Sequence, residues 1–531
     1  MTSLNARRIR VVGLGMACLL LAAGPALADR FECPVTGGDL VFGQEAKVNS
    51  LDMHASSTIS TRNIAMHIFE SLMTRDETNN PILELAEAVE TSDDGMTHTF
   101  TLRDGITFHD GSAMTSEDVA ASFERYKKLG VERVILANVE RWETPDDLTF
   151  VIHMSQAQPT FLEDLSSFSV PIVIVPAANA GADPLQMEPV GTGPFEFVEF
   201  IADSHVKLRR FEDYQSNEAF DDRTGFGGYK VACVDTVTFR IVTEPGSRVA
   251  GLETGELDAV EDVPQASVDR LAANAAIEIV PYENFWIHIA TPNFEKAPTD
   301  NKLVRQAIAT ALDMDEIMLV ATDGAYNTNF GFQTADRVVY SDRGNDFFNV
   351  NDQDKAKALL DEAGYAGEEL VLLTNRDYNT MYNAALVMAE QLQDIGMNVR
   401  VEVQDWPATL ATRDNNPDAW NYHFTGWGTN TSLGYLAVFK FLAPPQPIYA
   451  MSNPEENMDE AFNEAYSTMM NAPTFEERAE AFARTQEIVM EHGLALPFGW
   501  LTKNQAVRSN VSNFVPFRIP RMSNVWMEQD G

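Results

Sequence analysis

The chain reads as an α/β protein of more than one lobe, on three observations. Strand-like runs, such as residues 40–43 and 231–242, alternate with helical patterns along the length. Residues 351–403 hold a strand-helix-strand crossover behind a capped helix. Beyond an N-terminal export signal about 500 residues remain, more than the roughly 250–300 at which one hydrophobic core stops growing. Internal repeats and low-complexity tracts are absent from the sequence.

Taken in order, the first segment is a leader. Arg7, Arg8 and Arg10 form a basic start, residues 11–23 an apolar core, and Ala26-Leu27-Ala28 a small-residue cleavage site. Residues 1–28 therefore read as a secretory signal peptide cleaved after Ala28, with export to the periplasm. The apolar run is too short for an anchor, and Gly15-Met16-Ala17 before Cys18 is a poor lipidation sequence. No later segment is apolar enough to span a bilayer, which predicts no direct membrane insertion.

Residues 97–102 alternate branched or aromatic with polar side chains, the period of a half-buried strand. Asp104-Gly105 turns the chain, residues 106–108 form a second short strand, and Asp110-Gly111 turns it again. Thr115 or Ser116 opens a helix with Glu117 and Asp118 at its positive end. Val119, Ser122, Phe123 and Tyr126 then recur at helical spacing. In Gly191-Thr192-Gly193-Pro194-Phe195 the glycines are expected to supply positive φ in a turn, with Pro194 fixing the exit.

The crossover is the clearest unit. Asn351 or Asp352 caps a helix through Ala363 that Gly364 ends. Residues 369–374 are a strand of the fully buried kind, 382–395 an amphipathic helix stopped by Gly396, and 398–403 a second strand. A crossover helix makes the two strands parallel. Ligands of open α/β sheets sit beyond the carboxyl ends of the strands, which nominates residues 375–378 and 404–406. Gly426-Trp427-Gly428-Thr429-Asn430 is a third candidate, a glycine-rich loop that backbone can bring close to a ligand.

Loss of the three leader arginines takes the formal net charge from −41 to −44. That speaks against nucleic acid as a partner, and an anionic ligand would need local cations. The mature chain keeps two cysteines, Cys33 and Cys233. A disulfide is the natural reading in an oxidising compartment, with two separate buried thiols as the alternative, because spacing does not show proximity.

Catalytic signatures are missing: there is no G-x-S-x-G, H-E-x-x-H, P-loop or C-x-x-C. The nine histidines are scattered. His109 reads as a turn residue, and His423 stands near the nominated loops without a second metal ligand beside it. No catalytic residue, metal ligand or cofactor is predicted.

The wording of residues 100–119, F-T-L-R-D-G-x-x-F-H-D-G-S-x-M-T-x-E-D-V, resembles the family 5 extracytoplasmic solute-binding proteins of ABC importers, the peptide and nickel group. Further matching stretches are Phe69-Glu70-Ser71-Leu72 with Thr74-Arg75-Asp76-Glu77, Leu85-Ala86-Glu87 and the 191–195 motif. Residues 252–258, 304–308 and 359–365 and Gly426-Trp427 complete the series in order. The resemblance implies a periplasmic-binding-protein type II clamp, two α/β lobes joined by a hinge plus an inserted third α/β lobe. Lobe I would take residues 29–70, 188–288 and 496–531, lobe II 71–187, and lobe III 289–495. It also implies a monomer that carries a small-molecule or peptide-like ligand to an inner-membrane ABC permease and its ATPase. Two other readings are a nickel- or haem-type metal-chelate carrier and an extracytoplasmic peptidase.

In dipeptide-binding relatives the strand-end pattern R-x-Y-N sets an Arg on the ligand's carboxylate, and Arg376-Asp377-Tyr378-Asn379 matches it. A guanidinium suits that task because it binds a carboxylate bidentately and stays charged when buried. In oligopeptide-binding relatives the Trp of the G-W loop, here Trp427, lines the pocket. Trp286 and Trp406 are weighed beside it, with core packing the competing role.

Two departures matter. The residue three after that Trp is typically an Asp that pairs with a peptide's α-ammonium, and here it is Asn430. Aligned on Ser50-Leu51-Asp52, Lys47 stands where oligopeptide binders carry a Glu, although Glu45 is close enough for a gap to restore the acid. An α-ammonium buried without a partner is strongly disfavoured. The expected ligand therefore carries a carboxylate and no essential free α-ammonium: a blocked peptide, an opine-like conjugate or a polycarboxylate.

Overall fold

The computed structural model describes residues 30–528, apart from 78, 170, 329, 336–338, 429–437, 440, 441, 444–459 and 473. The signal peptide and Asn430 lie outside the described residues. Among the described residues, no helix is long and apolar enough to cross a membrane.

An eleven-stranded mixed sheet organises the molecule. One half holds the strands Asp39–Gln44, Thr236–Ile241, His205–Arg210 and Phe195–Ile201, with the two-residue strand Ala259–Val260. The other half holds Glu369–Asn375, Asn398–Gln404 and Tyr422–Trp427. Two long strands, Ile277–Pro292 and Leu496–Arg508, pair antiparallel and run through both halves. Their register breaks between Tyr282 and Trp286, where Asn284 takes φ +53°. Such a bulge leaves backbone unpaired and bends the ladder, so the halves join through a kink in two strands.

A separate four-stranded antiparallel sheet comprises Ala86–Thr91, Thr97–Leu102, Thr149–Met154 and Val139–Asp146. The expected alternation appears at Thr97–Leu102, whose alternate residues His98, Phe100 and Leu102 are buried. The helix Ser116–Leu129 follows the expected cap: Thr115 and Asp118 form a capping box, and Val119, Ser122, Phe123 and Tyr126 are buried. Residues 106–108 do not form the expected strand. They make one isolated bridge, Thr107 to Ala113, because the Phe108 N–H turns back to Ser112 O at 2.8 Å. The strand expected at 231–242 is shorter too, starting at Thr236. Ahead of it Val231 N–H donates to Asn524 Oδ1 at 2.7 Å and Cys233 is bonded to Cys33, which holds the segment off the ladder.

That disulfide links residues 200 apart in sequence, with Cα atoms 5.6 Å apart. Gly191 and Gly193 are required for a different reason than expected. Neither has positive φ; instead a Cβ would sit 2.2 Å from Ile68 O at Gly191 and 2.5 Å from His67 O at Gly193. Backbone crosses backbone there, which only glycine permits.

The crossover forms as read. The Asp352 carboxylate accepts from Lys355 N–H at 2.9 Å to cap Gln353–Ala363, and Gly364 closes that helix at φ +72°. Glu369–Asn375 and Asn398–Gln404 pair in parallel from Glu369 opposite Asn398. The helix between them, Asn379–Asp394, starts three residues before the expected 382. Asn375 accepts from Tyr378 N–H at 2.8 Å and turns the chain early, through polar residues that carry no apolar period.

Candidate functional site

A cavity of about 280 Å³ lies where the two long strands cross between the halves. Glu45 follows the strand Asp39–Gln44, Asp262 follows Ala259–Val260, and Tyr378 follows Glu369–Asn375. The cavity thus sits beyond the carboxyl ends of strands from both halves, as open α/β sheets favour. Arg248 reaches it from the helix Pro245–Thr254, and Trp286 and Lys503 from the crossing strands themselves.

Charge is concentrated on one wall. Lys503 Nζ is hydrogen-bonded to Glu45 and lies 3.2 Å from Glu261 Oε1. Arg248 Nη2 approaches the other Glu45 oxygen at 3.6 Å, and Glu45 N–H donates to Glu261 Oε2 at 3.1 Å. Burial raises the Glu45 carboxyl above the usual range despite Lys503. Burial would raise Glu261 too, but Lys503 and the Glu45 N–H bring it below. Burial, reinforced by Glu45, pushes Asp262 up to about 7. Lys503 stays protonated: burial works against its charge, and Glu261 and Glu45 outweigh it.

An aromatic wall adjoins it, with Lys503 Nζ 4.8 Å over the Phe285 ring. Phe285 and Trp286 lie 4.8 Å apart, Trp286 meets the edge of Tyr378 at 5.7 Å, and Tyr378 meets Trp406 at 5.4 Å. Trp406 in turn stacks on the buried His423 at 5.9 Å. Gly426 of the G-W pair serves this wall directly, since a Cβ there would fall 2.6 Å from the Trp286 ring.

The residues nominated from sequence separate into distinct places. Glu45 and Tyr378 line the cavity. Trp406, 8% exposed, backs Tyr378, and its backbone N–H donates to Asp377 Oδ2 at 3.0 Å. Trp427 is 2% exposed and packs against Phe332 in a neighbouring core cluster. Arg376 is exposed, with its guanidinium 4.7 Å over the Tyr382 ring and donating to the Tyr382 hydroxyl at 3.1 Å. Lys47 is partly exposed and pairs with Asp203 at 3.3 Å. Arg376 and Lys47 are not among the residues lining this cavity. Among the described residues, no group of three or more His, Cys, Asp or Glu is placed to hold a metal.

Arg248, Glu261, Asp262 and Lys503 were not nominated. Glu261 and Asp262 follow a strand of only two residues, too short to show a period. Lys503 sits within a strand where a lysine reads as solvated. The strand-end rule could have found the two acids had that short strand been recognised.

A model of the bacterial extracellular solute-binding proteins, family 5 Middle, matches residues 80–443. The chain is 25% identical over 529 residues to a probable peptide ABC transporter periplasmic-binding protein of Sinorhizobium fredii, covering 95% of this chain and 97% of that one. It is 25% identical over 520 residues to the glutathione-binding protein GsiB of Salmonella paratyphi A, covering 96% of each. Among solved structures, the periplasmic binding protein AgaA of A. tumefacien R10 in complex with agropinic acid superposes with a TM-score of 0.80. That pair shares 26% identity over 93% of this chain and 99% of the other. The architecture is the periplasmic-binding-protein type II clamp, and these relatives are binding proteins of ABC importers. With well over half of its length matched, the chain belongs to family 5 of the bacterial extracellular solute-binding proteins.

Proposed function

We propose that this protein captures a small, carboxylate-bearing, peptide-like solute in the periplasm and delivers it to an inner-membrane ABC permease. Residues 1–28 direct export and are cleaved after Ala28, leaving a monomer with no chemistry of its own to perform. The carrying observation is the position of the cavity, at the kink of two crossing strands and lined from both halves of the sheet. A ligand bridging such a cavity stabilises the closed arrangement over the open one, and that difference in affinity is what drives a hinge. Relatives named for peptide and glutathione binding, and a neighbour holding agropinic acid, support the solute class.

The test is mass spectrometry of whatever copurifies, followed by calorimetry with di- to pentapeptides, their N-acetylated forms and glutathione. A true ligand at a hundredfold excess over Kd adds roughly 2.7 kcal/mol to stability, and small-angle scattering should show compaction. Turnover of a peptide mixture, or a tight ligand that leaves the radius of gyration unchanged, would sink the proposal.

A further inference from the structure

Arg518 sits on a bend in the C-terminal segment and is only 4% exposed. Its Nε and Nη1 are buried without a hydrogen-bond partner among the described residues, and no carboxylate there lies within ion-pair distance of it. Its guanidinium lies 4.4 Å over the Phe285 ring and 5.0 Å over Trp286, rings it shares with Lys503 at 4.8 and 5.4 Å.

Other buried arginines are held differently. Arg125 also has an unpartnered Nε and Nη1, but its charge is met by Asp52, 2.6 Å from Nη2, with both side chains 1% exposed. Arg248 donates to three backbone carbonyls, those of Val242, Thr243 and Asp262, besides facing Glu45. Glu261, whose charge favours the Arg518 cation, is already engaged by Lys503 and the Glu45 N–H. A buried guanidinium left without a counter-charge is strongly unfavourable, and ring faces offset only part of that. Burial lowers Arg518 to about 10, which leaves it cationic at neutral pH.

The aromatic wall next to it repeats the pattern. Trp286 Nε1, Tyr378 Oη and Trp406 Nε1 are buried without partners, and they belong to side chains in contact one after another. Trp286 and Tyr378 line the cavity; Arg518 is not itself among the lining residues and adjoins it through the Trp286 ring face. Each of these groups can donate a hydrogen bond, and two are donor-only indoles. A run of unpartnered donors ending in a fixed cation is complementary to an oxygen-rich anion.

Building on the solute-capture reading, we propose that Arg518 is the anion-binding residue of the interlobe site. The solute presents a carboxylate to its guanidinium fork and further oxygens to Tyr378 and Trp286. The carboxylate anchor is then Arg518, supplied by the C-terminal segment, and not the exposed Arg376.

The experiment uses the mature protein and its Arg518→Met and Arg518→Lys variants, probed by calorimetry with glutathione, Ala-Ala-Ala and Ala-Ala-Ala-amide, and by melting without ligand. Arg518→Met should weaken the free-acid probes a hundredfold or more and the amide less than threefold, with Arg518→Lys between wild type and Met. The ligand-free melting temperature of Arg518→Met should match or exceed wild type, because an unpartnered buried charge has been removed. Unchanged affinity for the free acids, or a clearly lower ligand-free melting temperature, would overturn the assignment. If wild type binds none of the probes, the peptide-like ligand class fails, and the ligand-free melting comparison alone decides for or against Arg518.

Discussion

Two buried lysines each stand between two glutamates in this protein, and their surroundings differ. Lys230 Nζ lies 2.7 Å from Glu70 and 2.6 Å from Glu84, where the four-stranded sheet meets the main sheet. Tyr214 and Thr192 each donate a hydroxyl to Glu70 at 2.8 Å, so both Glu70 oxygens are bonded. Burial pushes Glu84 up to about 7 despite Lys230, so around neutral pH one proton and one ammonium serve two carboxylates. The Lys503 cluster has the same core of Lys and two Glu, but it opens on a cavity and adds Arg248, with Arg518 over the same two rings as Lys503. The difference separates adhesion from recognition. A cluster whose charges pair among themselves fixes two bodies against each other. One with an unpartnered cation is complete only when something else arrives.

The largest expected effect tests whether the half of the sheet away from the cleft is independent of it. Replacing Cys33 and Cys233 with Ser removes a link across 200 residues, for which chain entropy gives about 5 kcal/mol as an upper figure. Solute affinity should not move. Thiol titration of the unfolded, unreduced protein should find none free, and two free thiols would show that the link does not form in solution.

Next comes Lys230→Met, which strands two buried carboxylates and should cost about 3–5 kcal/mol in denaturant unfolding. Affinity should stay within threefold. A tenfold change would mean that the Lys230 cluster is coupled to the cleft and the comparison fails.

The third prediction concerns acid. His54 lies edge-on to Tyr126 at 5.2 Å, and its Nε2 is 2.9 Å from Val173 O. Burial, helped by nearby Arg125, lowers it to about 3. The native state keeps it neutral while the unfolded chain protonates below 6.5, so stability is lost as pH falls. At pH 4.5 that loss is about 3 kcal/mol. Glu84 acts in the opposite sense, since its raised value makes stability fall as pH rises from 4.5 through 7. His54→Gln should therefore flatten the acid limb of a stability–pH curve, and an unchanged limb would refute the assignment.

The smallest effect sharpens the cleft itself. With Arg376 exposed on Tyr382, Arg376→Ala should cost no more than about 1 kcal/mol of stability and change solute affinity less than threefold. A hundredfold loss would restore the strand-end arginine as the carboxylate anchor and displace Arg518.

Local order was legible wherever it is written locally. The strand Thr97–Leu102, the capping box of Thr115 and Asp118, and the parallel pair of the crossover depend on period, caps and loop length, all of which lie within a few residues. Ordered motifs spread over the chain identified the family, and the two remaining cysteines were correctly paired. The reason for Gly191 and Gly193 was not legible, because the clash they avoid is with Ile68 and His67, over a hundred positions earlier. Nor was most of the charged wall: Glu45 was nominated, but Arg248, Glu261, Asp262 and Lys503 were not, and neither was Arg518 on the rings beside them. Each of those charged residues, taken alone, reads as solvated surface. Whether a charge faces water, a partner or an unfilled cavity is set by which distant segment folds over it, and that is decided by tertiary structure.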